Sequence, residues 1–290
     1  MSANTLHTSS GNPVQDGPGS GKPAVTAYGV LRLEGPDAAT FLQGQVTQDV
    51  VGLPPEHWAR AALCTPQGRV LALLKVVKVP TGLWLVLPEA LVSAVRQHLQ
   101  RFVLRTRVRL LNDDSLRAET VLASGTTDAP AVALPVRVDG DVRVLALSPR
   151  RHLRLAPGTG AGPTSPRTAA VTDSDWLAAC VEDGEPEVFP ASVECWTPHM
   201  LAQDRWQAIH LHKGCYTGQE IVARTHYLGR NKRGLESVVL PDWPADAAAP
   251  TPGTALDLPD GRRAEWVLGS QGTTGLHGLV VTSPRETAAP

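Results

Sequence analysis

The sequence predicts an α+β fold. Three observations carry that prediction: apolar residues alternate at strand spacing near the start of the chain, two later stretches place them at helical spacing, and the text after Tyr227 breaks into short strands that suit a small β-barrel. With 290 residues, 42% hydrophobic and 19% charged, the chain can bury at least one full core. It shows no internal repeat or heptad pattern.

Residues Met1 to Pro23 are rich in Ser, Gly, Pro, Asn and Thr and are expected to form a disordered tail without an apolar run of signal-peptide or membrane-span length. Thr26 to Glu34 then alternates, with Val30, Arg32 and Glu34 on one side and Leu31 and Leu33 on the other, as a half-buried strand does. A short helix follows, with Pro36 and Asp37 in its first turn, Phe41 and Leu42 on its buried face, and Gly44 as a left-handed stop. A second strand group runs from Trp58 to Leu87. Its apolar stretches are interrupted by Lys75, Lys78 and the turn Pro80-Thr81-Gly82, which suits buried strands better than a membrane span.

Leu91, Val92, Val95, Leu99 and Phe102 fall at helical spacing and predict a helix over Glu89 to Phe102. Arg105 to Leu111 alternates again, with Arg105, Arg107 and Arg109 on a face read as solvated surface. Val136 to Val138 and Val142 to Val144 predict a hairpin across Asp139-Gly140. Ala156 to Thr168 has the composition of a linker. Thr172 or Asp173 caps the next helix, which carries Trp176, Leu177, Cys180 and Val181 and ends at Gly184 and Pro186. A turn at Asp260-Gly261 and an apolar run from Leu276 to Val281 close the chain.

Lysine and arginine total 27 against 28 acidic residues, so no global field draws the protein to nucleic acid or to an anionic membrane. Any RNA contact must be local. The four cysteines, at 64, 180, 195 and 215, form no CxxC pair and are expected to be free thiols, with Cys64 and Cys180 buried among apolar neighbours. The expected compartment is the cytoplasm.

The chemistry concentrates in Lys213-Gly214-Cys215-Tyr216-Thr217-Gly218-Gln219-Glu220, followed by Ile221-Val222-Ala223-Arg224. Thr217 and Glu220 stand at capping-box spacing, which predicts a helix from Gly218 with Thr217 as its N-cap. Cys215 then precedes a helix N-terminus, where the helix end and Lys213 favour thiolate over thiol. Gly214 and Gly218 clear space beside the sulfur. The alternative is a buried cysteine in a tight turn.

This run, with Gly229-Arg230-Asn231-Lys232-Arg233 after it, resembles the defining motif of the YgfZ/GcvT-like folate-binding family, relatives of the glycine-cleavage T protein. Gly35-Pro36-Asp37, Phe41-Leu42-Gln43-Gly44-Gln45, the Cys64 to Arg69 segment, Phe102 to Arg105 and the Trp176 to Pro186 helix are similar to that family too. Together these cover most of residues 24–112 and 170–235.

The resemblance implies a GcvT-like folate-binding core, a reduced ferredoxin-like insert and a small C-terminal β-barrel. The corresponding division is a tail over 1–23, the first part of the core over 24–115, the reduced insert and linker over 116–168, the second part of the core over 169–230, and the barrel over 231–285. It further implies tetrahydrofolate or a derivative as cofactor and an accessory role in iron–sulfur cluster assembly or repair and in tRNA modification. The partners implied are iron–sulfur proteins or their assembly factors, with tRNA contacted at most indirectly and no membrane.

Carried over by position, Tyr28 and Trp176 sandwich the folate, and Glu182 accepts hydrogen bonds from the pterin. Cys215 is the nucleophile or transient ligand, assisted by Lys213, within a motif completed by Gly214, Tyr216, Gly218, Gln219, Glu220 and Arg224. Arg230, Lys232 and Arg233 could meet the folate tail or a phosphate, or form a solvated basic run.

The sequence departs from the family pattern at Pro198 to Gln203, where Ala202 replaces an amide, and between Leu116 and Pro166, which is short and lacks helices. His210 and His212, placed on one face of a strand, have a spacing to Cys215 that could make a metal site. No fourth ligand accompanies them, and surface histidines are expected instead. A folate-dependent aminomethyltransferase is the second reading, but Gly68-Arg69-Val70-Leu71-Ala72 offers no carboxylate for it. A thiol-redox or metal-binding enzyme without folate is the third.

Overall fold

A computed structural model of the chain describes residues 27–123, 133–158, 171–229 and 232–284. The expected tail, most of the expected linker, and Arg230 with Asn231 lie outside them. In order, the elements are β1 (Tyr28–Glu34), α1 (Ala38–Gln43), β2 (His57–Cys64), β3 (Val70–Val79), β4 (Gly82–Pro88), α2 (Glu89–Gln100), β5 (Arg109–Asn112) and β6 (Leu116–Leu122). They continue with β7 (Leu134–Pro135), β8 (Arg137–Asp139), β9 (Val142–Ala146), β10 (Arg151–Pro157), α3 (Asp173–Asp183), α4 (Gln219–Leu228), β11 (Gly234–Leu240), β12 (Ala255–Asp257), β13 (Arg263–Gly272) and β14 (Gly275–Thr282).

The first ten strands make one sheet in the order β7-β2-β3-β4-β1-β6-β10-β9-β8, with β5 also paired to β1. Its two end strands are nearly one strand. Only Val136 separates β7 from β8, and its buried amide donates to the Glu56 carbonyl at 2.9 Å. Because β7 pairs with β2 and β8 with β9, the sheet curls into a nearly closed, barrel-like layer. That shape explains why β2, β3 and β4 are buried at almost every position rather than at every second one. Their inward face fills the barrel, and α2 covers part of the other through Leu91, Val92, Val95 and Leu99.

The strands of 116–157 join this sheet through Tyr28 opposite Ala118. The described residues of that segment form no separate ferredoxin-like sheet. The hairpin expected across Asp139-Gly140 is present, with Gly140 at φ 57°. The expected α3 is present too: Thr172 and Asp175 make a reciprocal capping box, and Gly184 ends the helix at φ 68°. The C-terminal strands form a four-stranded antiparallel sheet, order β11-β14-β13-β12, packed against α3. Its Val267, Leu268, Leu279 and Val281 join the main core, while Trp266, Leu276 and Val280 centre a smaller one.

Two local expectations are corrected. Gly44 stays right-handed at φ −80°, because its amide bonds back to Phe41 and the chain makes a further turn through Gln45 to Leu42. The strand expected from Arg105 begins only at Arg109, because Asp37 takes both the amide of Arg107 at 2.8 Å and its guanidinium. Arg109 pairs with Glu34, so two of the three arginines make ordinary surface pairs.

Candidate functional site

The motif loop leaves the core at Ala208 and re-enters it at α4, and its residues alternate between anchors and open positions. Lys213 is an anchor. Its ammonium turns inward and donates to the carbonyls of Gln43, Val46 and Gln48 at 2.6, 2.6 and 2.8 Å, holding the turn after α1. Burial pushes this amine down to about 8, against the pull of Asp49, while the three acceptors favour the charged form. Thr47 and Gln48 reinforce the same join through the carbonyls of Ala208 and Gln207. Tyr216 is the second anchor, buried beneath the Lys213 ammonium, which lies 5.0 Å from its ring centre.

Gly218 is the third anchor, and the helix start differs from expectation. Thr217 does not cap α4; its amide donates to the Gly44 carbonyl. Gly218 occupies the N-cap position at φ 83°, with no side-chain cap. A Cβ there would lie 2.5 Å from the Thr65 carbonyl, so the close approach of α4 to the Cys64 to Arg69 turn admits only glycine. Gly68 answers from that turn, since a Cβ on it would meet Ile221 at 2.9 Å. Gln219 closes the loop, taking the Tyr216 amide on its side-chain oxygen and donating its own amide to the Tyr216 carbonyl.

Gly214 and Cys215 have no such duty. Both are exposed, and a Cβ on Gly214 would meet nothing within 4 Å. Glu220 and Arg224 are exposed along α4 as well. All four cysteines are free, and Cys215 alone is exposed. Burial pushes Cys64 up to about 12 and Cys180 up to about 11, and it raises the half-buried Cys195. The expected role of Lys213 beside the sulfur is corrected, because its three donors point at carbonyls.

The residues expected to hold folate meet, but not as a ring slot. Tyr28 and Trp176 are both buried, with centroids 6.1 Å apart and planes at 75°, and the Trp176 indole donates to the Tyr28 hydroxyl at 3.4 Å. No flat ring fits between faces that are turned edge-on. Glu182 lies on the outside of α3, about half exposed and paired with Arg150. The expected sandwich and pterin acceptor are therefore corrected.

The buried acids are instead Glu185 and Glu187. Tyr28 donates to Glu187 at 3.0 Å, and Lys75 pairs with the same carboxylate. Arg60 meets Glu185 at 2.6 Å, while Arg151 bridges Glu185 and Asp183. Arg60 also lies 4.9 Å from the Trp58 ring centre and 4.6 Å from that of Trp206. Burial raises the Tyr28 phenol well above its ordinary range, and Glu187 adds to the rise. Burial alone would raise Glu185, but Arg60 and Arg151 outweigh it and bring the carboxyl down to about 2. Sequence reasoning missed this network. Its signals were a lysine inside an apolar strand and the Glu-Pro-Glu that follows Gly184.

Beside the Tyr28–Trp176 pair lies a cavity of about 490 Å³ between the main sheet, α3 and the C-terminal sheet. Ala27 and Leu177, the chain neighbours of that pair, line it together with Pro88, Phe189, Trp266 and Glu89. His210 precedes a turn and His212 lies in it, neither in a strand, with ring centroids 6.5 Å apart. Among the described residues no group of three or more His, Cys, Asp or Glu is placed to hold a metal ion. Arg233 is bound to Glu265 and the Val281 carbonyl. No described helix is long and apolar enough to cross a membrane.

Comparison with known proteins bears out the resemblance. The chain is 28% identical over 256 residues to a protein named tRNA-modifying protein YgfZ from Yersinia enterocolitica, covering 83% of this chain and 74% of the relative. The protein of that name from Yersinia pestis matches over the same extent at the same identity. Among solved structures, the glycine cleavage system aminomethyltransferase T from Bartonella henselae superposes with a TM-score of 0.65 over 90% of this chain and 77% of that one, at 14% identity. At that identity the likeness speaks to the fold alone. No family model matches the chain.

Proposed function

We propose that this chain has a YgfZ-like role, as an accessory factor that supports iron–sulfur enzymes and tRNA modification through the thiol of Cys215. The observation that carries the proposal is a division of labour within the motif. Lys213, Tyr216, Gly218 and Gln219 each have a structural duty, whereas Cys215 is exposed and holds nothing in place. A cysteine presented on a braced loop is suited to act as a nucleophile or transient ligand for an iron–sulfur protein or its assembly factor. Contact with tRNA is indirect in this reading.

The resemblance also implies tetrahydrofolate or a derivative, and we assign it to the 490 Å³ cavity rather than to the closed Tyr28–Trp176 pair. What supports this is a volume within the range of small-molecule pockets, apolar walls with two aromatic side chains, and the carboxylate of Glu89 for ring N–H groups. Aminomethyl transfer is not expected, since the segment from Gly68 to Ala72 carries no carboxylate to assist it.

Limiting iodoacetamide with mass mapping tests the thiol: Cys215 is modified first, and prior reaction at Cys64, Cys180 or Cys195 sinks the reading. Complementation tests the role. In cells lacking the endogenous homologue, Cys215→Ser is expected to be soluble yet fail to restore iron–sulfur enzyme activity, because a hydroxyl forms no anion near neutral pH. Full rescue would make the loop merely structural. Calorimetry with tetrahydrofolate on wild type and Leu177→Trp, which fills the cavity, checks the ligand; equal binding by both overturns its assignment there.

A further inference from the structure

From Ala90 to Asn112 the chain carries Arg96, Arg101, Arg105, Arg107 and Arg109 and no acidic residue, although the whole protein has a net charge of −1. The last four lie in or beside the connection from α2 to β5, which also holds three apolar residues in a row, Phe102, Val103 and Leu104. Leu104 is 86% exposed and Phe102 39%. A lone surface leucine needs no explanation, but this apolar run begins at the rim of a cavity.

The cavity measures about 320 Å³ and runs along α2. Leu71, Leu91, Val95 and Val193 give it apolar walls, and Gln97 and Arg101 stand at its rim. Leu71 and Val193 are half-buried and both rim residues are exposed, so the cavity is reached from solvent. Phe102 continues its surface, packed on the cavity-lining His98 with ring centroids 5.3 Å apart.

The connection is fixed at both ends. The amides of Arg101, Phe102 and Val103 donate back to the carbonyls of His98, Leu99 and Gln100. The Arg107 amide donates to Asp37 at 2.8 Å, and the Arg107 carbonyl lies so close to Gly35 that a Cβ there would stand 2.2 Å from it. Leu104 and Arg105 are held out between these ends, so a contact built on them needs little further ordering.

Charge decides what they meet. Arg107 and Arg109 are paired with Asp37 and Glu34. Arg105 is exposed and has no acidic partner among the described residues. Arg101 donates to Nδ1 of His98 at 2.6 Å, a contact with an uncharged ring that leaves the guanidinium charge unbalanced. Two such guanidiniums beside an apolar socket suit carboxylates that flank a large apolar side chain. Glu194 is exposed and follows the lining residue Val193, which turns those carboxylates toward the arginine side. Nucleic acid is served less well, because Phe102 is packed on His98 and offers no open ring on which a base could stack.

We propose that the connection from α2 to β5 and this cavity form a docking site for an acidic segment of a partner protein, whose apolar side chain enters the cavity while its carboxylates engage Arg101 and Arg105. The site goes beyond the thiol reading and does not depend on it.

Fluorescence anisotropy of the full chain with the labelled peptide Glu-Asp-Phe-Glu-Leu-Glu-Asp tests this. The expected result is saturable binding that weakens as salt is raised. Replacing Phe and Leu of the peptide by Ser, or its acids by Lys, should weaken it at least about ten-fold. Arg101→Glu combined with Arg105→Glu should cost about ten-fold or more. Leu104→Ser, and Ala94→Trp, which fills the cavity from its exposed side, should each cost about three-fold or more. Arg263→Glu, the same charge change in the C-terminal sheet, and Cys215→Ser should both bind like wild type. Thermal midpoints within a few degrees of wild type separate loss of the contact from loss of the fold. Absence of saturable binding, equal binding of the Ser-substituted peptide, tighter binding of oligouridine or of anionic phosphatidylglycerol vesicles than of the peptide, or unchanged affinity in the folded double arginine variant would each overturn the proposal.

Discussion

Lys213 and Cys215 stand two residues apart and do opposite work. The lysine has three buried carbonyl acceptors, and the cysteine has solvent. Sequence reasoning placed both in one chemical unit because a cation near a thiol is the commonest way to activate it. Which way a side chain turns depends on the carbonyls that await it, and those belong to a segment 165 to 170 residues earlier. Lys213→Met keeps the stem and removes the donors, leaving three carbonyls to find new partners. It should cost about 3 kcal/mol in chemical denaturation, about 1 kcal/mol for each of the three bonds lost. It should also raise the proteolytic sensitivity of the turn after α1. A loss below about 1 kcal/mol, with unchanged proteolysis, would mean that the clamp is dispensable. Ala202 shows the same limit of local reading. It stands where the family pattern carries an amide, and it takes φ 52°, a left-handed conformation that asparagine tolerates better than alanine.

At the scale of elements the sequence was more readable, and its one clear failure is instructive. α2 and α3 lie within two residues of expectation, because their apolar spacing and, for α3, its capping residues agree with one another. For α4 the Thr217-to-Glu220 spacing pointed to a capping box, yet Gly218 is the N-cap. The box was overridden by packing: α4 and the turn before β3 approach so closely that glycines face each other's elements, Gly218 toward Thr65 and Gly68 toward Ile221. The two glycines of the motif loop should therefore behave differently. Gly218→Ala adds a Cβ 2.5 Å from a carbonyl at φ 83°, and should destabilise by about 2–4 kcal/mol, from left-handed strain plus overpacking. Gly214→Ala meets nothing and should change stability by less than about 0.5 kcal/mol. Urea unfolding of both variants decides it; equal effects would remove the distinction between anchor and open positions.

At the scale of the whole molecule, the feature least readable in the sequence is what fills the barrel. Closure runs through Val136 and needs the pairing of β7 with β2, across 76 residues from Trp58 to Leu134 and 78 from His57 to Pro135, which no local pattern encodes. Once the sheet curls, Lys75 and Arg60 on neighbouring strands face Glu187 and Glu185 in a buried interior, so three cations balance three carboxylates with Asp183 and Arg151 included. Such a network contributes little net stability when complete but is costly to break. Its pH dependence follows from Glu185, whose carboxyl falls from 4.5 to about 2 on folding. A depressed acid contributes stability that is fully present above the unfolded value and is lost as pH falls through the folded one. The window is therefore about pH 4.5 to 2, and about 3 kcal/mol is at stake. Glu185→Gln should lose about 3–5 kcal/mol at pH 7, because Arg60 and Arg151 are left with an uncompensated charge, and its stability should then fall less steeply below pH 4.5 than that of wild type. Glu182→Gln, on the exposed side of α3 three residues earlier, should change stability by less than about 1 kcal/mol at either pH. Denaturant midpoints at pH 7, 4.5 and 3 for the three proteins test the assignment, and parallel acid profiles for Glu185→Gln and wild type would place the acid-sensitive group elsewhere in the barrel.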